Sequence, residues 1–279
     1  MNLLSTINKA IAATIILFAT SCDDLAGDNS DYDFDRGSSN HESTRLPDSY
    51  RLATYNTHRC APLSNVANYN NTALVISLID ADVIALQELD NGTNRHAEDQ
   101  LYELARRTNM YPIFLPCVTY TKGSYGIGLL CKEEPISTYT CELPGVEMRG
   151  MLLAEFKDFV FICTHLCVSS ADNRTWSFDI INRYLGENYS RSKKPIFLAG
   201  DLNTTSLPSV ATDNWQSIST TSVTYFPTSK RIDYILAYKG NNASYNVLQT
   251  MVPSFGEIPL NEVSDHFPVI VDISKNPSN

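Results

Sequence analysis

Acidic, amide and imidazole side chains recur in this sequence at the ends of short apolar segments. The residues concerned are Asn56, Glu88, His165, Asp201, Asn203, Asp265 and His266. Ligand sites in α/β sheets form at strand ends, because the strands are rigid and the loops beyond them are open to solvent. Carboxylates, amides and two histidines gathered in one place suit a hard divalent cation beside a phosphate ester.

Taken singly, these residues have ordinary structural explanations. An aspartate after a glycine, such as Asp201, is a common turn residue. His165 on a strand is more often structural than catalytic, and Asp233, between apolar neighbours, resembles a buried acid paired for packing. Only the joint arrangement favours a functional site.

The elements that must position these side chains follow from the hydrophobic pattern. Apolar, β-prone segments predict strands at 51–55, 83–89, 111–115, 126–132, 135–141, 148–156, 159–166, 196–199, 231–238, 244–251 and 268–273. Helical periodicity predicts helices at 65–80, 98–108 and 173–188, with Val66 and Trp176 on their apolar faces. Strands on both sides of a few helices predict an α/β fold with two mixed β-sheets in one domain, 50–274.

The first 22 residues differ from the rest of the chain. Lys9 precedes an apolar run that is too short to span a bilayer and has the length of a signal-peptide core. Small residues directly before Cys22 resemble a bacterial lipoprotein signal, which would make Cys22 the lipidated N-terminus of an exported protein. The alternative is an ordinary secretory signal in which Cys22 is incidental.

An acidic segment follows Cys22. Residues 23–49 contain eight acidic and two basic residues, so they favour a flexible linker between membrane anchor and domain. The acidic start also resembles surface-export signals of some Gram-negative lipoproteins, which would place the domain at the outer-membrane surface; a plain solvated linker is the alternative. The whole chain has a net charge of −10. No basic stripe for long nucleic acids is visible.

Five short motifs occur in one order: LQE around Glu88, THL around His165, GDLN at 200–203, RIDYIL around Asp233 and SDHFP around Asp265. Together they resemble the endonuclease/exonuclease/phosphatase superfamily, the fold of DNase I, AP endonucleases, neutral sphingomyelinases and inositol-polyphosphate 5-phosphatases. The resemblance extends from Leu52 to Ile273. It implies a two-sheet sandwich flanked by helices and Mg²⁺-dependent hydrolysis of a phosphoester, with Mn²⁺ as the alternative ion.

The resemblance also implies roles for the individual residues. Glu88 would be the main metal ligand, and Asn56 and Asp265 would complete or support the metal shell. Asp201 would activate the attacking water. Asn203 would hold a phosphate oxygen. His165 and His266 would donate hydrogen bonds to phosphoryl oxygens, and Asp233 would orient His266.

For some neighbouring residues the sequence allows two interpretations. Glu147 and Arg149 are either family-like or a surface ion pair. Arg95, after the Glu88 strand, resembles an arginine of bacterial members, while Tyr125 is displaced by one residue from a phosphate-contacting tyrosine of AP endonucleases. The segment 204–230 is the expected substrate loop, in which the aromatic residues Trp215, Tyr225 and Phe226 either stack on a base or pack in the core.

The substrate expected from this pattern is a phosphoester on a small molecule, a lipid head group or a nucleic acid, and the protein is expected to be a monomer attached to the membrane by its lipid. Two other functions stay open. One is a binding protein that keeps the fold without turnover. The other is a DNase-like toxin subunit, which would need a basic surface and delivery partners.

Overall fold

The computed structural model describes residues 44–256 and 258–275. The predicted signal segment, Cys22 and the predicted linker up to residue 43 lie outside these residues. Within them the chain forms twelve strands and four α-helices. The strands are β1 (Ser49–Asn56), β2 (Val83–Asn91), β3 (Tyr111–Tyr120), β4 (Gly123–Cys131), β5 (Ser137–Leu143), β6 (Arg149–Glu155), β7 (Val160–His165), β8 (Ile196–Asp201), β9 (Trp215–Ser217), β10 (Asp233–Tyr238), β11 (Val247–Met251) and β12 (Val269–Ser274). The helices are α1 (Tyr69–Ile79), α2 (Gln100–Thr108), α3 (Ala171–Tyr189) and α4 (Ser209–Asn214).

The strands form two mixed six-stranded sheets. The first has the order β11-β12-β1-β2-β4-β3 and the second the order β5-β6-β7-β8-β10-β9. The pairs β1–β2 and β7–β8 are parallel, whereas β12 and β10 run antiparallel to β1 and β8. The predicted fold class, two mixed sheets packed as a sandwich with flanking helices, is therefore confirmed.

The strands at the centre of each sheet are buried on both faces, as the nearly continuous apolar run in β2 predicts. Along β2, Val83 and Ala85 face the other sheet, whereas Ile84 and Leu86 pack on the helix side. In β7, Phe161 faces the other sheet and Ile162 packs toward α3. One apolar layer thus lies between the sheets, and a further layer lies under the helices on each outer face.

Three of the four α-helices, α1, α2 and α3, begin at residues whose side chains cap them. The Asn68 side chain accepts a hydrogen bond from the Asn71 N–H, and Asp99 and Ser170 do the same for α2 and α3. This cap makes α1 begin at Tyr69, so the prediction of a helix from residue 65 was wrong. Val66 precedes the helix and is 71% exposed.

The apolar face of α3 is also rotated from the predicted one. Its buried residues are Ser177, Phe178, Ile181 and Leu185, whereas Trp176 is 55% exposed. The folded part begins before residue 50, since Arg45 forms an ion pair with Asp82 at 2.7 Å and β1 starts at Ser49. The described helices include none that is both long and apolar enough to cross a membrane.

One rim of the sandwich collects the predicted site. The carboxyl ends of β1, β7 and β8, the start of β10 and the segment leading into β12 all meet there, because antiparallel partners begin where parallel strands end. The two sheets touch at this rim, where Asn56 Nδ2 lies 3.2 Å from Asp201 Oδ2.

Candidate active site

Three neighbouring strands of the second sheet place three predicted residues side by side. Asp201 is the register partner of His165 on β7 and of Asp233 on β10. Register partners on one face have closely spaced side chains. His165 Nε2 lies 3.5 Å from Asp201 Oδ2, and all three residues are buried. The sheet pairing itself builds this part of the site.

His266 enters from the segment before β12 and completes the group. Its Nδ1 lies 2.8 Å from Asp233 Oδ2, and its Nε2 lies 3.8 Å from Asp201 Oδ2. The short contact with Asp233 holds the ring in place and directs Nε2 toward Asp201. The structure thus brings together Asp201, His165 and His266, predicted for water activation and phosphoryl binding, with Asp233, predicted to orient His266.

Glu88 reaches the site through a β-bulge in β2. The pairing of β2 with β4 shifts register between Leu86 and Leu89, and both leucines pack on the helix side. Simple alternation would place Glu88 on the helix side too. Instead, a positive φ of 61° at Glu88 turns its side chain toward the site, where Asn56 Nδ2 lies 3.2 Å from Glu88 Oε1.

A left-handed turn after β1 adds two residues that the sequence motifs did not identify. His58, Arg59 and Cys60 all have φ between 46° and 61°. Arg59 Nη1 lies 3.0 Å from Glu88 Oε2, and His58 Nε2 lies 4.0 Å from Asp265 Oδ2. Their closeness to Asn56 in the sequence was the one available signal.

The carboxylates of the site perturb one another. Burial and the charge of Asp233 raise the pKa of Asp201 to about 7, a value suited to a general base near neutral pH. Burial also raises the pKa of Asp265, and the charge of Glu88 adds to this shift. Burial opposes the charge on Glu88, but the charges of Arg59 and His266 and the hydrogen bond from the Asn56 amide lower its pKa below its usual value.

The two histidines differ in charge. Burial and the positive charge of Arg149 lower the pKa of His165 to about 3, so His165 is neutral at physiological pH. Burial also disfavours the charge on His266, but the carboxylates of Asp233, Asp201 and Asp265 outweigh burial and raise its pKa to about 10. One neutral and one charged imidazole therefore flank Asp201.

Asn203 and Gly200 shape the turn after β8. The backbone N–H of Asn203 donates to Asp201 Oδ1 at 2.8 Å, and its side-chain amide donates to the Leu166 carbonyl at 3.0 Å. A Cβ at Gly200 would lie 1.9 Å from the Thr164 carbonyl oxygen, so only glycine fits between β7 and β8. Asn203 thus orients Asp201, and its contact with a phosphate oxygen stays a prediction.

Arg149 is buried beside the site residues, whereas Glu147 lies on the protein surface. The Arg149 side chain is 8% exposed and Glu147 is 61% exposed, with 3.5 Å between Arg149 Nη2 and Glu147 Oε2. Arg149 Nη1 is also 3.5 Å from His165 Nδ1. The reading as a surface ion pair therefore fails for Arg149, because its guanidinium is buried beside a histidine.

Aromatic side chains border the group. The Tyr225 ring lies 4.8 Å from the His266 ring, so this residue of the expected substrate loop reaches the site. Trp215 is buried and its Nε1 donates to Asn182 Oδ1, so it is a core residue.

Arg95 lies over the rings of Tyr120 and Tyr125, at 4.2 and 5.2 Å, and is bound to Asp90 through two hydrogen bonds.

The donor set fits a divalent cation. Asp265 Oδ1 and Asp233 Oδ1 are buried and, among the described residues, have no hydrogen-bond partner. Buried acceptors without a partner are costly and call for a bound cation or water. Asp201, Asp233 and His266 offer ligand atoms within 4.8 Å of one another. Asp265 Oδ1 and Asp233 Oδ1 are thus available as oxygen ligands, whereas the two Glu88 oxygens accept hydrogen bonds from Asn56 and Arg59, which a cation would replace.

Comparison with known proteins decides the family. The family model described as the endonuclease/exonuclease/phosphatase family matches residues 53–266. The chain belongs to this family. The match includes every predicted site residue from Asn56 to His266, and no curated protein matches the sequence.

Solved structures agree on the fold. An endonuclease/exonuclease/phosphatase from Beutenbergia cavernae is 22% identical, with a TM-score of 0.66 over 81% of this chain and 71% of its own. A family member from Bacteroides vulgatus is 20% identical, with a TM-score of 0.66 over 81% of this chain and 98% of its own. A mannosyl-6-phosphatase from Bacteroides thetaiotaomicron is 18% identical, with a TM-score of 0.61 over 81% of this chain and 99% of its own.

Proposed function

We propose that this chain hydrolyses a phosphoester bond with a water activated by Asp201, using Mg²⁺ or Mn²⁺. The main support is the position of the buried Asp201 carboxylate between a neutral His165 and a charged His266. The pKa of Asp201 is raised to about 7. Endonuclease/exonuclease/phosphatase proteins typically hydrolyse phosphoesters with metal ions, which supports the same chemistry.

The chain's own residues divide the work. Asp201 accepts a proton from the attacking water, and the backbone N–H of Asn203 holds the Asp201 carboxylate in place. His266, kept charged and oriented by Asp233, donates a hydrogen bond to a phosphoryl oxygen as negative charge builds up. His165 donates from Nε2 as a neutral imidazole.

Glu88, Asp265 and Asn56 would hold the cation. When bound, the ion would polarise a phosphoryl oxygen and neutralise part of the negative charge of the carboxylates. Arg59 supplies a positive charge to Glu88 through its 3.0 Å ion pair, so the cation would compete with Arg59 for this carboxylate.

We also propose that the substrate is a small molecule or lipid head group rather than a long nucleic acid. The support is the net charge of −10 and the absence of a basic stripe in the sequence. The mannosyl-6-phosphatase likeness adds a sugar phosphate to the substrates worth testing. The protein would act as a monomer on the cell envelope, anchored through lipid on Cys22.

Hydrolysis assays on the purified full-length chain test the activity. The substrates are plasmid DNA, RNA, sphingomyelin, inositol phosphates, mannose 6-phosphate and bis-p-nitrophenyl phosphate, each with Mg²⁺, Mn²⁺ or EDTA. We expect EDTA-sensitive turnover that Asp201→Asn abolishes. Silence on every substrate from folded protein would favour the binding role instead.

Labelling with a radioactive fatty acid tests the anchor. The wild-type chain should take up label and fractionate with membranes, and Cys22→Ser should do neither. Equal labelling of both chains would reject Cys22 as the lipidation site.

A further inference from the structure

Arg149, the first residue of β6, is a buried cation without a close counter-ion. It is 7% exposed. Its two nearest polar contacts, His165 Nδ1 and Glu147 Oε2, are both at 3.5 Å. Its Nε is buried and, within residues 44–256 and 258–275, has no hydrogen-bond partner.

Burying such a guanidinium lowers the stability of the folded protein. Burying a charge is unfavourable unless close partners compensate it, and each unpaired buried donor adds to the cost. Glu147 compensates little, because its carboxylate is 61% exposed and screened by water. A buried polar group left without partners therefore points to a ligand that completes its contacts.

The position of Arg149 says where that ligand lies. His165 contacts Arg149 through Nδ1 and faces Asp201 through Nε2, at 3.5 Å each. Only one imidazole ring therefore separates Arg149 from the proposed base.

We propose that Arg149 binds an anionic oxygen of the substrate phosphate and makes the site prefer phosphomonoesters over phosphodiesters. This inference rests on the proposed function, since it assigns a substrate class to the same site. Arginine presents parallel N–H groups that match two oxygens of a phosphate, and Nε with one Nη offers such a fork here.

The preference follows from charge. A phosphomonoester carries a charge of about −1.5 to −2 at pH 7, whereas a diester carries a single negative charge. Arg149 supplies a fixed positive charge in a buried setting, where electrostatic interactions are strong. The second negative charge of a phosphomonoester would therefore be attracted by the Arg149 guanidinium.

Binding of inorganic phosphate to EDTA-treated full-length protein tests the inference without requiring turnover. Isothermal titration should show phosphate binding that Arg149→Gln weakens at least ~10-fold and that Arg149→Lys, which keeps the charge but loses the fork, weakens less. Phenyl phosphate should displace phosphate from the wild type better than diphenyl phosphate does. The control is Arg106→Gln, an exposed arginine on α2 that should bind as the wild type does.

Kinetics with two matched substrates extend the test. Arg149→Gln should lower kcat/KM for p-nitrophenyl phosphate by ~10²-fold, but for bis-p-nitrophenyl phosphate by less than ~10-fold. Equal losses on both substrates, or unchanged phosphate binding, would overturn the inference. If the wild type hydrolyses neither ester but phosphate binding still depends on Arg149, the proposed function fails and the anion site stands.

Stability separates this role from a structural one. Replacing a buried, poorly paired charge by an apolar side chain of similar length leaves stability unchanged or raises it. Arg149→Met should therefore melt at or above the wild-type Tm while losing phosphate affinity. A clear fall in Tm, with phosphate affinity retained in the folded fraction, would make Arg149 structural and reject the proposal.

Discussion

Arg51 and Arg149 are two buried arginines whose surroundings are opposite. Arg51, on β1, is fully buried and paired with Asp272 through two hydrogen bonds of 2.7 and 2.8 Å, and it donates to the Ile79 carbonyl at 3.0 Å. Arg149 is buried at the rim that holds the candidate site, with two contacts of 3.5 Å. The protein satisfies the hydrogen-bond donors of Arg51 at short distances. Among the described residues, the buried Nε of Arg149 has no hydrogen-bond acceptor.

The difference extends to the two ends of the sandwich. Arg51 lies five residues before Asn56, roughly 17 Å along β1 from the rim that holds the candidate site. The end near Arg51 has a cavity of about 500 Å³ lined by Tyr50, Phe159, Lys193 and Tyr245, among others, and by no predicted site residue. This cavity therefore lies apart from the candidate site, which is marked instead by unsatisfied and perturbed polar groups.

The largest expected effect is loss of activity on changing the rim. Glu88→Ala should lower kcat/KM at least ~10³-fold, because loss of a metal ligand forfeits several kcal/mol of transition-state stabilisation. The variant should still fold, because Glu88 lies at the rim of the sheets and not in their apolar core. A variant that is unfolded by circular dichroism would show that Glu88 is structural and would break the contrast between the two ends.

The next effect falls on stability at the other end. Arg51→Met should lower the free energy of unfolding by about 3–5 kcal/mol, because it leaves the buried Asp272 carboxylate without its partner. Activity per folded molecule should not change. The double variant Arg51→Met/Asp272→Leu serves as control and should lose much less, since it removes both charges. A single variant as stable as the wild type would contradict this account of Arg51.

A third prediction concerns the charged histidine. His266→Ala should lower kcat by ~10²-fold or more, as expected for loss of one transition-state donor. Asp233→Asn should also lower kcat, because Asp233 orients His266 and favours its charge. Steady-state kinetics at saturating substrate give both values. An unchanged kcat in His266→Ala would place His266 outside the chemistry.

The smallest effect is a pH dependence at the Arg51 end. Burial would raise the pKa of Asp272, but its hydrogen bonds to Arg51 and Gln249 hold that pKa below its usual value. A lowered pKa contributes stability above the unfolded-state value of about 3.9, and this stability is lost as pH falls through the folded-state pKa. Urea unfolding between pH 5 and pH 2 should therefore show a steeper loss in the wild type than in Asp272→Asn. If the free energy of unfolding fell equally with pH in both proteins, the Arg51–Asp272 pair would not contribute to the loss of stability in acid.

Much of the fold was predictable from the sequence, because strand and helix periodicities reflect burial. The run Val83–Leu89 predicted a strand buried on both faces, and β2 has that pattern. The errors occurred where local chemistry overrides periodicity. Asn68 caps α1 and leaves Val66 outside it. In α3, Trp176 is exposed and Phe178 is buried, which apolar spacing did not distinguish.

The site was predictable as a set of residues but not as an arrangement. Motif order indicated Asp201, His165 and His266; strand register brings Asp201 and His165 together, and the segment before β12 brings in His266. The bulge that turns Glu88 toward them depends on pairing with β4, a contact between distant parts of the chain. Arg59 and His58 fell outside the motifs, since their left-handed turn gives no strong local signal without glycine.

The sequence by itself determined which donors are present, in which order, and on which elements, because these depend on residue type and local periodicity. Tertiary structure alone decided their charges and partners. Two histidines of the same ordinary pKa become neutral at His165 and charged at His266, since Arg149 and burial act on one and Asp233 on the other. Two buried arginines likewise differ, since Arg51 pairs with Asp272 at 2.7 Å and Arg149 has its polar contacts at 3.5 Å, because desolvation and pairing depend on neighbours that only the folded chain assembles.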